Sequence, residues 1–399
     1  MLFNQKRYIY TIIKNFVMRP TALKLTAGIL LFCGLSANVK AQTDPINVVT
    51  TAVPFLRIAP DARAGAMGEM GVATSPDAYA GIWNVAKVAF QDKKGGIAAT
   101  YTPWMKDLVN DVYLASVTGF FKLDDDQALT GTVRYFSLGN IQFTDFTGAS
   151  LGTEHRPREF GVDLGYSRKL NSKSGVGITL KFINSDLTGG LTNGSTTYKA
   201  GSSVAADLAY YHDGKKNGNG WAWGAVLSNL GAKISYTNNA DAKDFIPANL
   251  GLGATYSKKY SSNNTLTFGA ELNKLLVPTP PGEGATAADL AEYRSKSVVG
   301  SWFSSLGDAP GGFAEEINEV TLGAGAEWWY NNQFALRAGY FYENKTKGDR
   351  RYFTTGLGVR YDVFNFNFAY LIPSGSGVNR NPLSNTLRFT VAFDLGAKK

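Results

Sequence analysis

The chain has almost no material for sulfur or imidazole chemistry. One of its 399 residues is cysteine, Cys33, and two are histidine, His155 and His212. Beyond Cys33, disulfides, thiolate metal sites and thiol nucleophiles are excluded. After residue 41 no run reaches the 18 or so apolar residues of a membrane helix, so any membrane-crossing element must be a strand. Charged residues are also scarce, at 18%. The net charge of +8 is concentrated at the start. Lys6, Arg7, Lys14, Arg19, Lys24 and Lys40 precede residue 42 with no acid among them, which leaves 34 basic residues against 32 acidic ones. That near-balance excludes a nucleic-acid footprint.

Residues 1–41 read as a secretory signal peptide, with Met18 as an alternative start. Arg19 and Lys24 supply the positive region, Leu25 to Ala37 the apolar run, and Val39-Lys40-Ala41 the cleavage motif. Phe32, just before Cys33, fits a lipoprotein site poorly.

Glycine (44), phenylalanine (24) and tyrosine (20) are abundant, and near the end of the chain they alternate. Phe364, Phe366, Phe368 and Tyr370 share one face, with Asn365, Asn367 and Ala369 on the other. Leu387, Phe389, Val391, Phe393 and Leu395 likewise oppose Thr386, Arg388, Thr390 and Asp394. Side chains alternate across a strand, so each segment has one apolar and one polar face. Aromatic residues on lipid and polar ones in a lumen describe a membrane barrel. The expected fold class is all-β, a 14-stranded antiparallel transmembrane β-barrel with an N-terminal plug segment and long extracellular loops.

The period of two places strands at 95–103, 111–121, 128–138, 159–169, 175–184, 202–212, 220–229, 248–258, 264–273, 319–330, 333–343, 352–361, 363–371 and 384–395. Connections after even-numbered strands are short; most of those after odd-numbered strands are long. That is the outer-membrane pattern of periplasmic turns and extracellular loops. Aromatic residues gather at strand ends as two girdles. Phe120/Phe121, Tyr210/Tyr211 and Trp328/Trp329/Tyr330 fall on the turn rim, and Tyr135/Phe136 and Tyr340/Tyr342 on the loop rim.

No catalytic or metal-ligating residue is expected. His155 and His212 fall on opposite rims, so they cannot share a metal site or a Ser-His-Asp triad. Asp124-Asp125-Asp126 lacks calcium-loop spacing and reads as a turn. Gly175/Gly177, Gly251/Gly253, Gly323/Gly325 and Gly356/Gly358 lie on strands, where a plug or loop can approach closely, and not at a phosphate-binding strand–helix turn.

Two regions depart from the barrel pattern. Residues 42–94 are rich in small residues and are expected to form the plug, with Arg57, Asp61, Arg63, Met67, Trp83 and Asn84 as its candidate residues. The barrel then occupies 95–399. Its longest connection, 274–318, opens a helical stretch at Thr286-Ala-Ala-Asp289 that runs to about Ser305, ended by Gly307 to Gly312. Loop residues Phe143, Phe146, Phe245, Ile246, Trp302, Phe303 and Phe313 either contact a partner or cargo, or fold inward over the lumen.

The plugged architecture resembles the fatty-acid transporter (FadL-like) family. Residues 55–84 narrow the resemblance. The run from Phe55-Leu-Arg-Ile-Ala-Pro-Asp-Ala-Arg-Ala-Gly-Ala-Met-Gly through Ala80-Gly-Ile-Trp-Asn84 is similar to the opening signature of the PorV (LptO) family of the type IX secretion system. Tyr101-Thr-Pro-Trp-Met105 and Lys274-Leu-Leu-Val-Pro-Thr-Pro-Pro281 extend it, while Asn84-Val85-Ala86 departs from the usual Asn-Pro-Ala. The resemblance implies a non-enzymatic outer-membrane protein that docks on a very large translocon barrel. It would receive cargo bearing a C-terminal signal domain and deliver it to a sortase-like attachment complex at the cell surface. No cofactor is expected. Lipid, lipopolysaccharide or detergent could occupy the lumen. The alternative is a FadL-like transporter of fatty acids or other hydrophobic molecules, with the lumen as ligand site.

Overall fold

The computed structural model describes residues 47–397 except 107–108, 145–146, 194–195, 240–241, 283 and 374–385. The expected signal peptide and Phe146 lie outside the described residues.

Eighteen strands are described. They are β1 (Lys93–Pro103), β2 (Val112–Lys122), β3 (Gln127–Leu138), β4 (Ile141–Thr144), β5 (Ser150–His155), β6 (Arg158–Lys169), β7 (Ser174–Asp186), β8 (Thr192–Asn193) and β9 (Thr196–Thr197). There follow β10 (Gly201–Asp213), β11 (Gly220–Gly231), β12 (Asn249–Lys259), β13 (Asn264–Leu275), β14 (Thr321–Tyr330), β15 (Phe334–Tyr342), β16 (Arg351–Tyr361), β17 (Phe364–Pro373) and β18 (Leu387–Ala397). Fourteen form a closed antiparallel barrel. These match the expected fourteen, with ends shifted by a few residues. β4/β5 and β8/β9 are small hairpins inside two of the long loops, in addition to the expected strands.

Closure is made by β1 on β18, with Gly95 opposite Leu395, Ile97 opposite Phe393 and Tyr101 opposite Phe389. It leaves no strand edge unpaired in lipid, where an unsatisfied backbone amide would be costly. Tight turns on one rim use residues that tolerate positive φ. Asn331 and Asn332 (φ 53° and 52°) turn β14 into β15, and Asp362 (φ 53°) turns β16 into β17. The Asp124 carboxylate accepts the Asp126 and Gln127 N–H groups at 2.8 and 2.7 Å, which makes the Asp124–Asp126 run a self-bonded turn.

The lipid face is apolar as expected: Val176, Ile178, Leu180 and Phe182 of β7 are all exposed, while their neighbours Thr179 and Lys181 are buried. The girdles need a correction. Phe121, Tyr135 and Trp328 point outward, but Phe120, Phe136 and Tyr211 are buried in the lumen, and Phe341 between Tyr340 and Tyr342 is buried too. Adjacent residues on a strand face opposite ways, so only one of each aromatic doublet can reach lipid.

The long loop after β13 carries three helices, α3 (Ala287–Ser295), α4 (Val298–Ser304) and α5 (Phe313–Asn318), numbered after two short helices near the N-terminus. Thr286 and Asp289 form the expected capping box on α3. Helix α5 lies beyond the expected end of the helical stretch at Gly307–Gly312, and its six residues are too short to show a periodic pattern.

Candidate functional site: the lumen and its N-terminal segment

Residues 53–92 pack against lumen-facing positions around the barrel. Short helical turns keep the segment narrow. A 3-10 turn spans Pro54–Arg57, α1 is Ala62–Gly65, α2 is Ala80–Trp83, and a second 3-10 turn spans Val85–Phe90. Asp61 caps α1 through the Ala64 N–H at 2.9 Å and accepts from Trp83 Nε1 at 2.7 Å, joining the two halves of the segment. Asn84 caps the second 3-10 turn, accepting the Ala86 N–H, and its Nδ2 donates to the carbonyls of Val72 and Tyr210 at 3.0 Å each.

Glycines make room for this chain. A Cβ at Gly68 (φ +69°) would meet the carbonyls of Tyr340 and Ala324, and a Cβ at Gly325 or Gly339 would overlap the main chain of Met67. Gly175 and Gly177 face Val85 and Ala86, while Gly251 and Gly253 face Val72. Met67 is fully buried. Gly358 differs, because the space beside it is filled by the Arg337 guanidinium.

Charged groups tie the segment to the wall. Arg63 donates to both oxygens of Glu327 (β14) at 2.8 and 2.7 Å, and to Asp77 Oδ2 at 2.9 Å. Glu327 also accepts from Arg337 (β15) at 2.7 Å. Glu271 (β13) accepts the N–H groups of Gly71 and Val72 at 2.8 and 2.7 Å. Arg388 (β18), fully buried, donates to Glu69 at 2.8 Å. Lys87 donates to the Gly71 carbonyl and, at 3.1 Å, to Thr74 Oγ1. Arg57 is held more loosely, 3.7 Å from Glu343, a carboxylate that Arg350 already engages twice at 2.8 Å. A charge removed from water must be paired and hydrogen-bonded, so each contact fixes position strongly.

All six candidate plug residues are among the described residues and in contact with the wall or with each other. The charged wall groups that hold the segment were not expected from the sequence: Glu327, which pairs with Arg63 and is braced by Arg337, and Glu271, which accepts from the Gly71 and Val72 N–H groups. An ionisable residue at a lumen-facing position of an apolar strand was the signal for them.

The segment separates two spaces. On the turn rim a 750 Å³ cavity is lined by Asp77, Lys173, Asp213, Trp329, Arg360 and Asp394, among others. On the loop side a 140 Å³ cavity lies among Arg57, Glu69, Trp83, Asn249 and Arg350. Charged side chains line both.

The apolar loop residues divide. Phe245 and Ile246 are buried, and Phe143 and Trp302 are half-buried. Phe303 and Phe313 are 73% and 81% exposed. The acidic side of α5 is anchored: Lys274 bonds Glu316 and Glu319 at 2.7 Å each, and Lys347 bonds Glu319 at 2.9 Å and Glu315. His155 and His212 are in separate neighbourhoods. His155 lies 3.5 Å from Asp186, while His212 Nδ1 is 2.9 Å from Ser174 Oγ.

No curated protein matches the chain in sequence. Among solved structures, the Ralstonia pickettii toluene transporter TbuX superposes with a TM-score of 0.53 at 11% identity, over 85% of this chain and 98% of its own. The Pseudomonas putida toluene transporter TodX gives 0.49 at 12% identity, over 84% and 99%. At such identities the likeness speaks for the fold alone. Residues 40–282 match the family described as type IX secretion system protein PorV. That match spans more than half of the chain and runs through the N-terminal segment to the start of the longest loop. The chain belongs to the PorV family of the type IX secretion system, an outer-membrane β-barrel family.

Proposed function

We propose that this barrel is a cargo-handling component of type IX secretion. It docks on the large translocon barrel, receives secreted proteins through their C-terminal signal domains and passes them to a sortase-like attachment complex at the cell surface. The family match over residues 40–282 carries this reading. Exposed Phe303 and Phe313 on the long loop support it as contact points; Trp302 on the same loop and Phe143 on another are partly covered. No enzymatic step is assigned to the chain. In this reading the segment from residue 42 to 94 acts as a plug, held by Arg63, Asp61, Met67, Trp83, Asn84 and, more loosely, Arg57. Surrounding lipid, or lipopolysaccharide, is the non-protein neighbour.

Affinity purification from solubilised membranes tests the reading. Cargo with a shared C-terminal domain and a giant barrel should co-purify, and Phe303→Ser with Phe313→Ser should reduce that recovery without changing barrel assembly. A protein that comes out alone, and whose loss leaves secretion intact, would sink it. Deleting residues 42–94 should raise single-channel conductance, and unchanged conductance would remove the plug role.

A second reading, transport of hydrophobic molecules, draws on the fold shared with the toluene transporter TbuX. The ion pairs crossing this lumen weigh against a continuous apolar path. Loss of hydrophobic uptake in a deletion strain with normal secretion would favour it.

A further inference from the structure

A third cavity lies beneath the loops and differs in character from the other two. It measures 470 Å³, within the range of small-molecule sites. Leu138 and Leu187 supply apolar wall, and three aromatic side chains, Tyr236, Phe245 and Tyr293, line it with two carboxylates, Glu159 and Asp244. The rings of Phe245 and Tyr293 meet edge to face, their centroids 5.6 Å apart.

Glu159 is 2% exposed. Its Oε1 accepts from Ser185 Oγ at 2.7 Å, and Ser185 in turn accepts from the Tyr236 hydroxyl at 3.1 Å. No cation among the described residues pairs with this carboxylate, although almost every other buried acid of the lumen has a basic or backbone N–H partner. The cations nearby are engaged elsewhere. Arg294 pairs with Asp244 at 3.2 Å. Lys233 donates to the carbonyls of Arg294 and Lys296 at 2.7 and 2.5 Å, and its Nζ stands 4.1 Å from the centre of the Phe245 ring. That last contact shows this aromatic wall already accepting an ammonium group on one ring.

Ring faces attract cations, and a buried carboxylate without a counter-ion is costly until one arrives. Glu159, which has no counter-ion, would repel an anion from the same space, while Asp244 is already paired with Arg294. We propose that this cavity binds a small organic cation, a primary ammonium group on an apolar body. Glu159 is its counter-ion, and Tyr236, Phe245 and Tyr293 form its aromatic wall. The inference is independent of the secretion reading, since it concerns a site that a free amine can enter without any partner protein.

Phenethylammonium, 3-phenylpropionate and phenethyl alcohol are suitable probes against the full chain in lipid nanodiscs, with binding followed by calorimetry. The ammonium should bind saturably and the carboxylate should not, with the alcohol weaker by about tenfold or more. Glu159→Gln keeps an acceptor for Ser185 but removes the charge, and should weaken the ammonium by about tenfold without affecting the alcohol. Leu187→Trp should fill the space and abolish both. Unheated gel migration confirms that each variant is a folded barrel. Absence of saturable ammonium binding by the parent overturns the proposal. So does equal binding of the carboxylate, or unchanged ammonium affinity in a folded Glu159→Gln barrel.

Discussion

Glu327 sits between Arg63 of the N-terminal segment and Arg337 of the neighbouring strand. It is the one carboxylate paired with Arg337 among the described residues, whereas Arg63 also has Asp77. Replacing it with Gln leaves the buried Arg337 guanidinium beside a neutral amide and Arg63 with Asp77 alone. The expected cost is about 3–5 kcal/mol. It would appear as a lower urea midpoint for barrel unfolding in lipid vesicles, and a change within error would show that the pair positions without stabilising. Gly339 makes a sharper test of how tightly the segment sits. A Cβ there would overlap the main chain of Met67 and Gly68, and backbone cannot swing aside as a side-chain tip can. Gly339→Ala should cost more than the ~1–3 kcal/mol of ordinary overpacking. It should also release the segment to cleavage by trypsin after Arg63, whereas Gly307→Ala, with no atom near its Cβ position and no positive φ, should leave that site protected.

At the scale of elements, the long loop after β13 is an anchored platform. Helix α5 is held by Glu315, Glu316 and Glu319 against Lys347 and Lys274, which turns Phe313 and Ile317 outward, one helical turn apart. Hydrogen bonding from Lys347 holds Glu315 below the usual carboxylate range. A group whose folded value is depressed adds stability above its unfolded value, near pH 4.3, and loses it as the pH falls through the folded one. Amide exchange across residues 308–320 should therefore be slow at neutral pH and accelerate, corrected for intrinsic rates, as the pH drops below about 4. Glu315→Gln should flatten that dependence. Equal acceleration in the variant would assign the effect to other acids.

For the whole molecule, closure by β1 on β18 makes the exterior a continuous apolar surface and the interior a place where charge must be paired. The two faces should then respond in opposite ways to the same substitution. Leu180 faces lipid near the middle of β7, so Leu180→Arg should cost about 2–4 kcal/mol in the bilayer. The reciprocal change, Arg388→Leu, removes the partner of Glu69 from the lumen and should also destabilise, through the buried carboxylate left unpaired. Unfolding from vesicles measures both. A lipid-face arginine that costs nothing would mean that position 180 is covered by a partner in the assembly and not by lipid.

Alternation along the chain was sufficient by itself for the fourteen barrel strands, their order, the two unequal rims and the lipid face. The strand period is local, so a residue and its neighbours carry it. Residues 55–84 carried the family as well. The same alternation should have shown that Phe120, Phe136 and Tyr211 face inward, since each adjoins an outward aromatic. Only the tertiary structure paired Arg63 with Glu327, 264 positions away, or Arg388 with Glu69, 319 positions away. It also decided that Phe245 and Ile246 turn in while Phe303 and Phe313 stay out. Contacts across a closed barrel depend on which strands the closure sets face to face across the lumen, and on where a threaded segment comes to rest. No local pattern encodes either.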